Sequence, residues 1–347
     1  MSRHPAWIAL LSAALFGAAA PAGKWLLADL PPLQLAGLLY LGAALGVAPF
    51  ALRTGGLTAF PRGQRARAQL VGAIVFGGLL GPVFLLIGLS QASAASVSLW
   101  LTLEGVATAA LGALWFHDPL HRWGWLGAAG ALASSALLSA GSGTAGFVAG
   151  AWVAAACVCW ALDNHFTALQ AELSPAAIAL WKGAVAGSVN LGLGLAFGPW
   201  HASGSSLAAA LAAGAICYGA SSALYVSAAH ALGATRAQLS FASAPLFGVL
   251  LAVGVLGEPF GPREAVVALG MASGLALVLR DKHAHAHRHA RLAHTHWHRH
   301  DDGHHSHAHR EEPAALLHAH WHAHEPLAHA HSHWPDLHHR HAHRKET

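Results

Sequence analysis

The sequence predicts an all-α integral membrane protein with about ten transmembrane helices, arranged as two inverted five-helix repeats and followed by a disordered histidine-rich C-terminal tail. Three observations carry this. Of 347 residues, 55% are hydrophobic and only 10% charged, where a soluble domain has about a quarter of its residues charged. Apolar runs of about 20 residues, the length that crosses a hydrocarbon core, recur between short polar turns. Finally, the turn residues of the first 280 positions repeat at a spacing of 140 to 143.

In chain order, the apolar runs place helices near 6–27, 33–52, 69–89, 93–115, 122–141, 146–168, 176–197, 207–229, 237–256 and 264–280. The first follows Arg3 and His4 and reads as a retained span rather than a cleaved leader, because so many spans come after it. The separators are turn formers: Leu30-Pro31-Pro32, Arg53 to Pro61, His117-Asp118-Pro119, Gly141-Ser142-Gly143, Ser174-Pro175, Gly198-Pro199 and Gly257-Glu258-Pro259. Cys157, Cys159 and Cys217 all fall inside apolar runs, without disulfide or zinc spacing, and read as packing residues.

Basic residues set the orientation. Arg53, Arg62, Arg65 and Arg67 follow the second helix, and Arg3, Arg122, Arg236, Arg280 and Lys282 share their side, against Lys24 and Arg263 on the other. Positive charge marks the cytoplasmic face, so both termini are predicted there, in a multi-pass protein of the cytoplasmic (inner) membrane.

A shift of 140 lays His117-Asp118-Pro119-Leu120 on Gly257-Glu258-Pro259-Phe260 and Gly130 on Gly270; a shift of 143 lays Leu30-Pro31-Pro32 on Leu173-Ser174-Pro175. Residues 1–141 and 142–280 are therefore expected to be repeats, and 281–347 the cytoplasmic tail. An odd number of helices per repeat inverts the second against the first, as in secondary transporters.

These residues resemble the drug/metabolite transporter superfamily in its EamA-type form. The resemblance rests on Ala14-Leu15-Phe16-Gly17, on the two acidic turns, and on the glycine-spaced fifth helices with Gly127, Gly130, Gly270 and Gly274. The fourth helix of the second repeat has Ala244-Pro245-Leu246-Phe247, where the first has Leu103-Glu104-Gly105-Val106. Trp160-Ala161-Leu162-Asp163-Asn164-His165 and the tail resemble a bacterial subgroup whose members end in histidine repeats. The resemblance implies membrane transport and names no solute.

Ionisable groups within hydrocarbon cost roughly 2.5–3.5 kcal/mol each, so they mark sites. Glu104, mid-way along the fourth helix, is the foremost candidate for a coupling ion or polar solute; the plainer alternative is a protonated acid bonded to Thr102 or Thr108, or to a neighbouring helix. Asp163, Asn164 and His165 lie in the cytoplasmic part of the sixth helix, and Lys182 lies at a matching depth in the seventh. Asp163 and Lys182 can therefore pair, either structurally or around a solute. Asn190 shares a helical face with Lys182 and extends the polar path. Asp118 and Glu258 read as helix caps, and Gly77 with Gly81 and Gly183 with Gly187 as close helix packing.

The tail repeats histidine at every second position. His283, His285, His287, His289, His294, His296, His298 and His300 come first; then His304, His305, His307 and His309; then His318, His320, His322, His324, His329, His331 and His333; and last His338, His339, His341 and His343. Imidazole is a borderline ligand, so no obligatory cofactor is predicted, but zinc, nickel or cobalt can bind this tail with many near-equivalent ligand sets. The tail then buffers or senses metal. Alternatively its metal binding is incidental to a low-complexity extension, or it acts as a polycation charged below about pH 6.5.

The expected function is secondary transport, as an exporter of a small solute with a metal-binding tail. The alternatives are direct transport of nickel, cobalt or zinc, or a non-transporting membrane-anchored metal sensor. The expected partners are the lipid bilayer and a small-molecule or metal-ion substrate, with room for a homodimer. Nucleic acid is excluded because the basic residues outside the tail are few and confined mainly to one loop. No nucleophile elbow, nucleotide loop or helix-borne zinc protease motif supports an enzyme.

Overall fold

The computed structural model describes residues 4–53, 60–115, 122–170, 172–232 and 241–280, and in the tail 284–289, 292–298, 318–324 and 327–332. Among the described residues, ten helical segments make up the body. α1 joins His4–Gly17 to Ala19–Leu26, α2 is Pro32–Arg53, α3 is Gln64–Gln91, and α4 joins Ala94–Trp100 to Leu103–Trp115. α5 is Arg122–Ala140, α6 is Gly143–Ala168 and α7 is Pro175–Phe197. α8 runs through Gly204–Ala213, Gly214–Ala220 and Ser221–Leu232, α9 is Ala244–Gly254 and α10 is Pro262–Arg280.

Seven of these are long and apolar enough to cross a membrane: α1 to α4 and α6 to α8. α9 is shorter in its described part, and α5 and α10, 19 residues each, open on Arg122 and on Arg263-Glu264 and stand outside that set. The outer surface suits lipid. Leu45, Leu114, Leu132, Leu193, Leu250 and Leu269 are exposed, and exposed Trp7, Trp25, Trp115, Trp123 and Trp200 sit at or beside helix ends, where indole favours the headgroup boundary.

Small residues bring the helices together. α2 packs along α7, and α5 along α10; α3 and α4 both pack on α6, while α8 and α9 both pack on α1; α2 meets α8, and α7 meets α3. A Cβ at Gly187 would stand 2.7 Å from the Leu41 backbone nitrogen, and one at Gly183 2.8 Å from the Tyr40 carbonyl oxygen. Glycine at both positions is what allows α7 to lie this close to α2.

Two helices change winding. Ala73–Leu80 within α3 and Gly214–Ala220 within α8 are π-helical. Two others are interrupted: α4 turns at Leu101-Thr102, and a turn at Ala242-Ser243 precedes α9. Ala73 to Gly214 and Leu101 to Ala242 are each separated by 141 residues, so the irregularities recur at the repeat spacing seen in the sequence. Trp100, just before the α4 turn, is the largest fully buried side chain. Its carbonyl accepts from the Cys157 thiol at 3.7 Å, and all three cysteines are buried and unpaired with one another.

The tail, expected to lack fixed structure, is described only in part, and only as backbone. It has four short strands: β1 (Ala284–His289), β2 (Leu292–His298), β3 (His318–His324) and β4 (Leu327–Ser332), with β1 antiparallel to β4 and β2 antiparallel to β3. Histidine at every second residue has the period of a strand, which accounts for the extended backbone. Isolated two-stranded ladders are marginal in water, so this is a region without independent stability.

Candidate functional site

The site grows from the wide turns of α3. A π segment misaligns the helical hydrogen-bond ladder and leaves carbonyls that need other donors when buried. Here side chains from three helices supply them. Tyr40 of α2 donates its hydroxyl to the Gly77 oxygen, and Trp160 of α6 donates its indole N–H to the same oxygen at 3.1 Å. Asn190 of α7 donates to the Gly78 and Leu79 oxygens at 3.2 and 3.3 Å.

Glycine at this turn also makes room for charge. A Cβ on Gly77 would overlap the Asp163 carboxylate, and one on Gly78 would stand 2.6 Å from the Ala186 Cβ and 3.1 Å from the Lys182 Cγ. Asp163 and Lys182 are thus held against the backbone of α3. Lys182 Nζ donates to Asp163 Oδ2 at 2.5 Å, and the Thr167 hydroxyl donates to Asp163 Oδ1 at 3.2 Å. The aspartate side chain is 7% exposed and the lysine 21%.

A second cluster sits across α6. Leu103–Trp115 begins just after the α4 turn, and Glu104 lies in its first helical turn, where the unpaired N–H groups and helix dipole favour negative charge. Asn164 Nδ2 donates to Glu104 Oε1 at 3.1 Å and to the Thr108 hydroxyl oxygen at 3.3 Å. The Thr108 hydroxyl in turn donates to the Glu104 carbonyl at 2.8 Å, and His165 Nε2 lies 3.1 Å from the Thr108 carbonyl oxygen. Successive residues turn by about 100° on a helix, so Asp163, Asn164 and His165 reach different neighbours: Asp163 meets α3 and α7, the other two α4.

The expected pairing of Asp163 with Lys182 is present, and Asn190 stands on the same face of α7 toward α3. Of the partners expected for Glu104, the neighbouring helix supplies the one seen: Asn164 of α6 donates to the carboxylate, while the Thr102 and Thr108 hydroxyls donate to backbone carbonyls. Tyr40, Trp160 and Thr167 belong to the same network and were not among the expected site residues, whereas Thr108 stands beside Glu104 as the sequence suggested. Of the first three, only Trp160 carried a signal, through its place two residues before Leu162-Asp163 in the quoted α6 stretch. Tyr40 also faces the second wide turn: its ring lies 5.9 Å from that of Tyr218, which is a further 5.9 Å from Phe16.

The end of the bundle that carries the α1–α2, α3–α4 and α9–α10 connections is closed by polar contacts. Glu258 accepts from the backbone N–H groups of Ala94 and Ala95, both at 2.7 Å. It is therefore a cap, as expected, but for the start of α4 rather than for the helix that follows it. Lys24 Nζ donates to the Leu89 and Ala92 carbonyls at 2.9 and 2.7 Å, and the Ser206 hydroxyl to Asp29 Oδ2 at 2.6 Å. Between Lys24 and Glu258 lies a cavity of about 430 Å³, floored by Trp100 and Ser96. Asp118 lies outside the described residues.

Among the described residues no group of three or more histidine, cysteine, aspartate or glutamate side chains is placed to hold a metal ion. Of the tail histidines, His283, His300, His304, His305, His307, His309, His333, His338, His339, His341 and His343 lie outside the described residues, and the others are described as backbone in the four strands.

Comparison with known proteins agrees with the architecture. One solved crystal structure matches 80% of this chain and 98% of its own at 20% sequence identity, with a TM-score of 0.56. That likeness concerns the fold. No curated protein matches significantly. The EamA-like transporter family matches twice, over residues 5–140 and again over 148–280. These two matches span most of the sequence, and the chain belongs to the EamA-like transporter family.

Proposed function

We propose that the protein is a secondary transporter that exports a small polar solute across the cytoplasmic membrane, along a path between two inverted five-helix halves, residues 1–141 and 142–280. Ten spans with both termini in the cytoplasm follow from the basic loops. The histidine tail, 281–347, binds zinc, nickel or cobalt on the cytoplasmic side and regulates transport, which groups the chain with histidine-tailed members of its family.

One observation carries the reading. An ion pair with a buried aspartate and a second, half-buried carboxylate, Glu104, lie beside a wide turn in α3 and a break in α4, and the same two irregularities recur in α8 and before α9. Interrupted helices at matching places in two repeats mark the substrate path of transporters, because unwound backbone at membrane depth is tolerated only inside protein or along a cavity. The packing pairs support an internal twofold: α3 and α4 on α6 match α8 and α9 on α1, and α2 on α8 matches α7 on α3. Glu104, Asn164, His165, Asp163, Lys182 and Asn190 are the residues proposed to handle the solute or its coupling ion.

Solute and metal accumulation in cells producing the full chain, a 1–280 truncation or Glu104→Gln, with and without added nickel, cobalt or zinc, tests this. The proposal expects a metabolite to change with the full chain and the truncation, and the change to disappear with Glu104→Gln. A change in cell metal that the truncation retains makes metal the cargo. A phenotype that depends on the tail alone, with no flux, makes the protein a sensor.

A further inference from the structure

β1, β2, β3 and β4 form one ribbon register rather than two unrelated ladders. Two residues separate β1 from β2 and two separate β3 from β4, so the pairing of 284–289 with 327–332 continues in step into that of 292–298 with 318–324. In this register histidine faces histidine. His285 pairs with His331 and His287 with His329 in the outer ladder; His294 pairs with His322, His296 with His320 and His298 with His318 in the inner one. The positions between are occupied by others, among them Ala286 opposite Ala330 and Thr295 opposite Trp321.

Alternate residues of a strand share a face, so each ladder gathers its facing histidines on one face. Directly opposed residues have Cβ atoms about 4.5–5.5 Å apart, and the next pair on the same face is about 7 Å along the strand. Two such register pairs place four histidine residues at neighbouring positions of one face, the ligand number of a closed zinc site. A slip of one residue would set every histidine against a non-histidine, so the register and the ligand set specify each other.

We propose that the tail holds divalent transition-metal ions in two defined four-histidine sites across this ribbon, His285, His287, His329 and His331 in one, and His294, His296, His320 and His322 in the other. The proposal rests on the reading that the tail binds metal and replaces its many interchangeable ligand sets with two. Each ion joins strands far apart in sequence, so metal closes the ribbon. The apo ribbon is marginal, and the free energy of ligation is what fixes it.

The test uses full-length protein in nanodiscs with zinc ion alone as probe. Zinc affinity is measured for the parent, for H294Q/H296Q/H320Q/H322Q, and for H304Q/H305Q/H307Q/H309Q, which removes equally many histidines from outside the ribbon. Spin labels on Ala293→Cys and Ala323→Cys, neighbours across β2 and β3, report the strand separation, with the buried native cysteines left unlabelled. The expected result is one zinc equivalent lost, or its affinity lowered more than about tenfold, the scale on which metal sites respond even to losses around their ligands, together with loss of the zinc-dependent short label distance, in the ribbon variant alone. Equal losses in both variants, or zinc binding without strand closure, overturn the two-site ribbon while leaving metal binding by the tail intact. Absence of zinc binding in the parent overturns both.

Discussion

Lys182 Nζ meets Asp163 Oδ2 at 2.5 Å, and the pair lies against the backbone of Gly77 and Gly78, where a Cβ would collide with it. Two consequences follow for anyone who cuts it. Removing one charge strands the other, which costs about 3–5 kcal/mol for a buried pair. Asp163→Asn and Lys182→Met should each lower the thermal stability of the purified protein by that order and stop transport. The double substitution should recover more than half of the stability and none of the transport. Strictly additive losses in the double would mean the two residues do not act as a pair.

Gly77→Ala should be as damaging as Asp163→Asn, because the added methyl would take the place of the carboxylate. Gly130→Ala is the matched control, since nothing lies within 4 Å of a Cβ there. Alanine is also the better helix former, by about 1 kcal/mol. Transport rates and melting temperatures of the two variants should therefore move in opposite directions or differ sharply.

Asn190→Leu deprives two carbonyls, Gly78 and Leu79, of their side-chain donor. A buried polar group left without its partner costs about 1–3 kcal/mol. Tyr40→Phe removes one of two donors to the Gly77 oxygen and leaves Trp160 in place. Chemical denaturation in detergent should rank Asn190→Leu well below Tyr40→Phe in stability.

Glu258→Ala leaves the Ser93 cap of α4 in place but takes the charged acceptor from the N–H groups of Ala94 and Ala95. The expected loss is about 1.5–3 kcal/mol, the range for hydrogen bonds to charged groups. Glu258→Gln keeps an acceptor oxygen and should recover part of it. Labelling of Ser96→Cys, which lines the adjoining cavity, should quicken in the alanine variant as this end of the bundle opens.

The helical body was legible because hydrocarbon demands long apolar runs and turns demand glycine, proline and aspartate. Each predicted segment overlaps a described helix, and the Asp163–Lys182 pair followed from depth alone. What was not legible is where helices depart from α geometry. Ala73-Ile74-Val75-Phe76-Gly77-Gly78-Leu79-Leu80 reads as an ordinary apolar stretch of helix, and the donors that meet its carbonyls lie on α2, α6 and α7, far away in sequence. For Glu104 the sequence leaves the partner open between nearby threonines and a neighbouring helix, and it is Asn164, 60 residues away on α6, that donates to the carboxylate. Glu258 gave a correct role and a wrong target, because capping chemistry does not reveal which helix start is within reach.

The wide turn in α3 has one more effect, on how positions along that helix are counted. A π turn takes up an extra residue relative to an α turn, and one residue corresponds to about 100° around the axis. A helical wheel drawn through Gln64–Gln91 as a single α-helix therefore assigns Gly81–Gln91 to the wrong side. Probes, crosslinks or lipid-facing substitutions chosen for that half must be phased from Gly81 onward, as though the helix contained two reading frames.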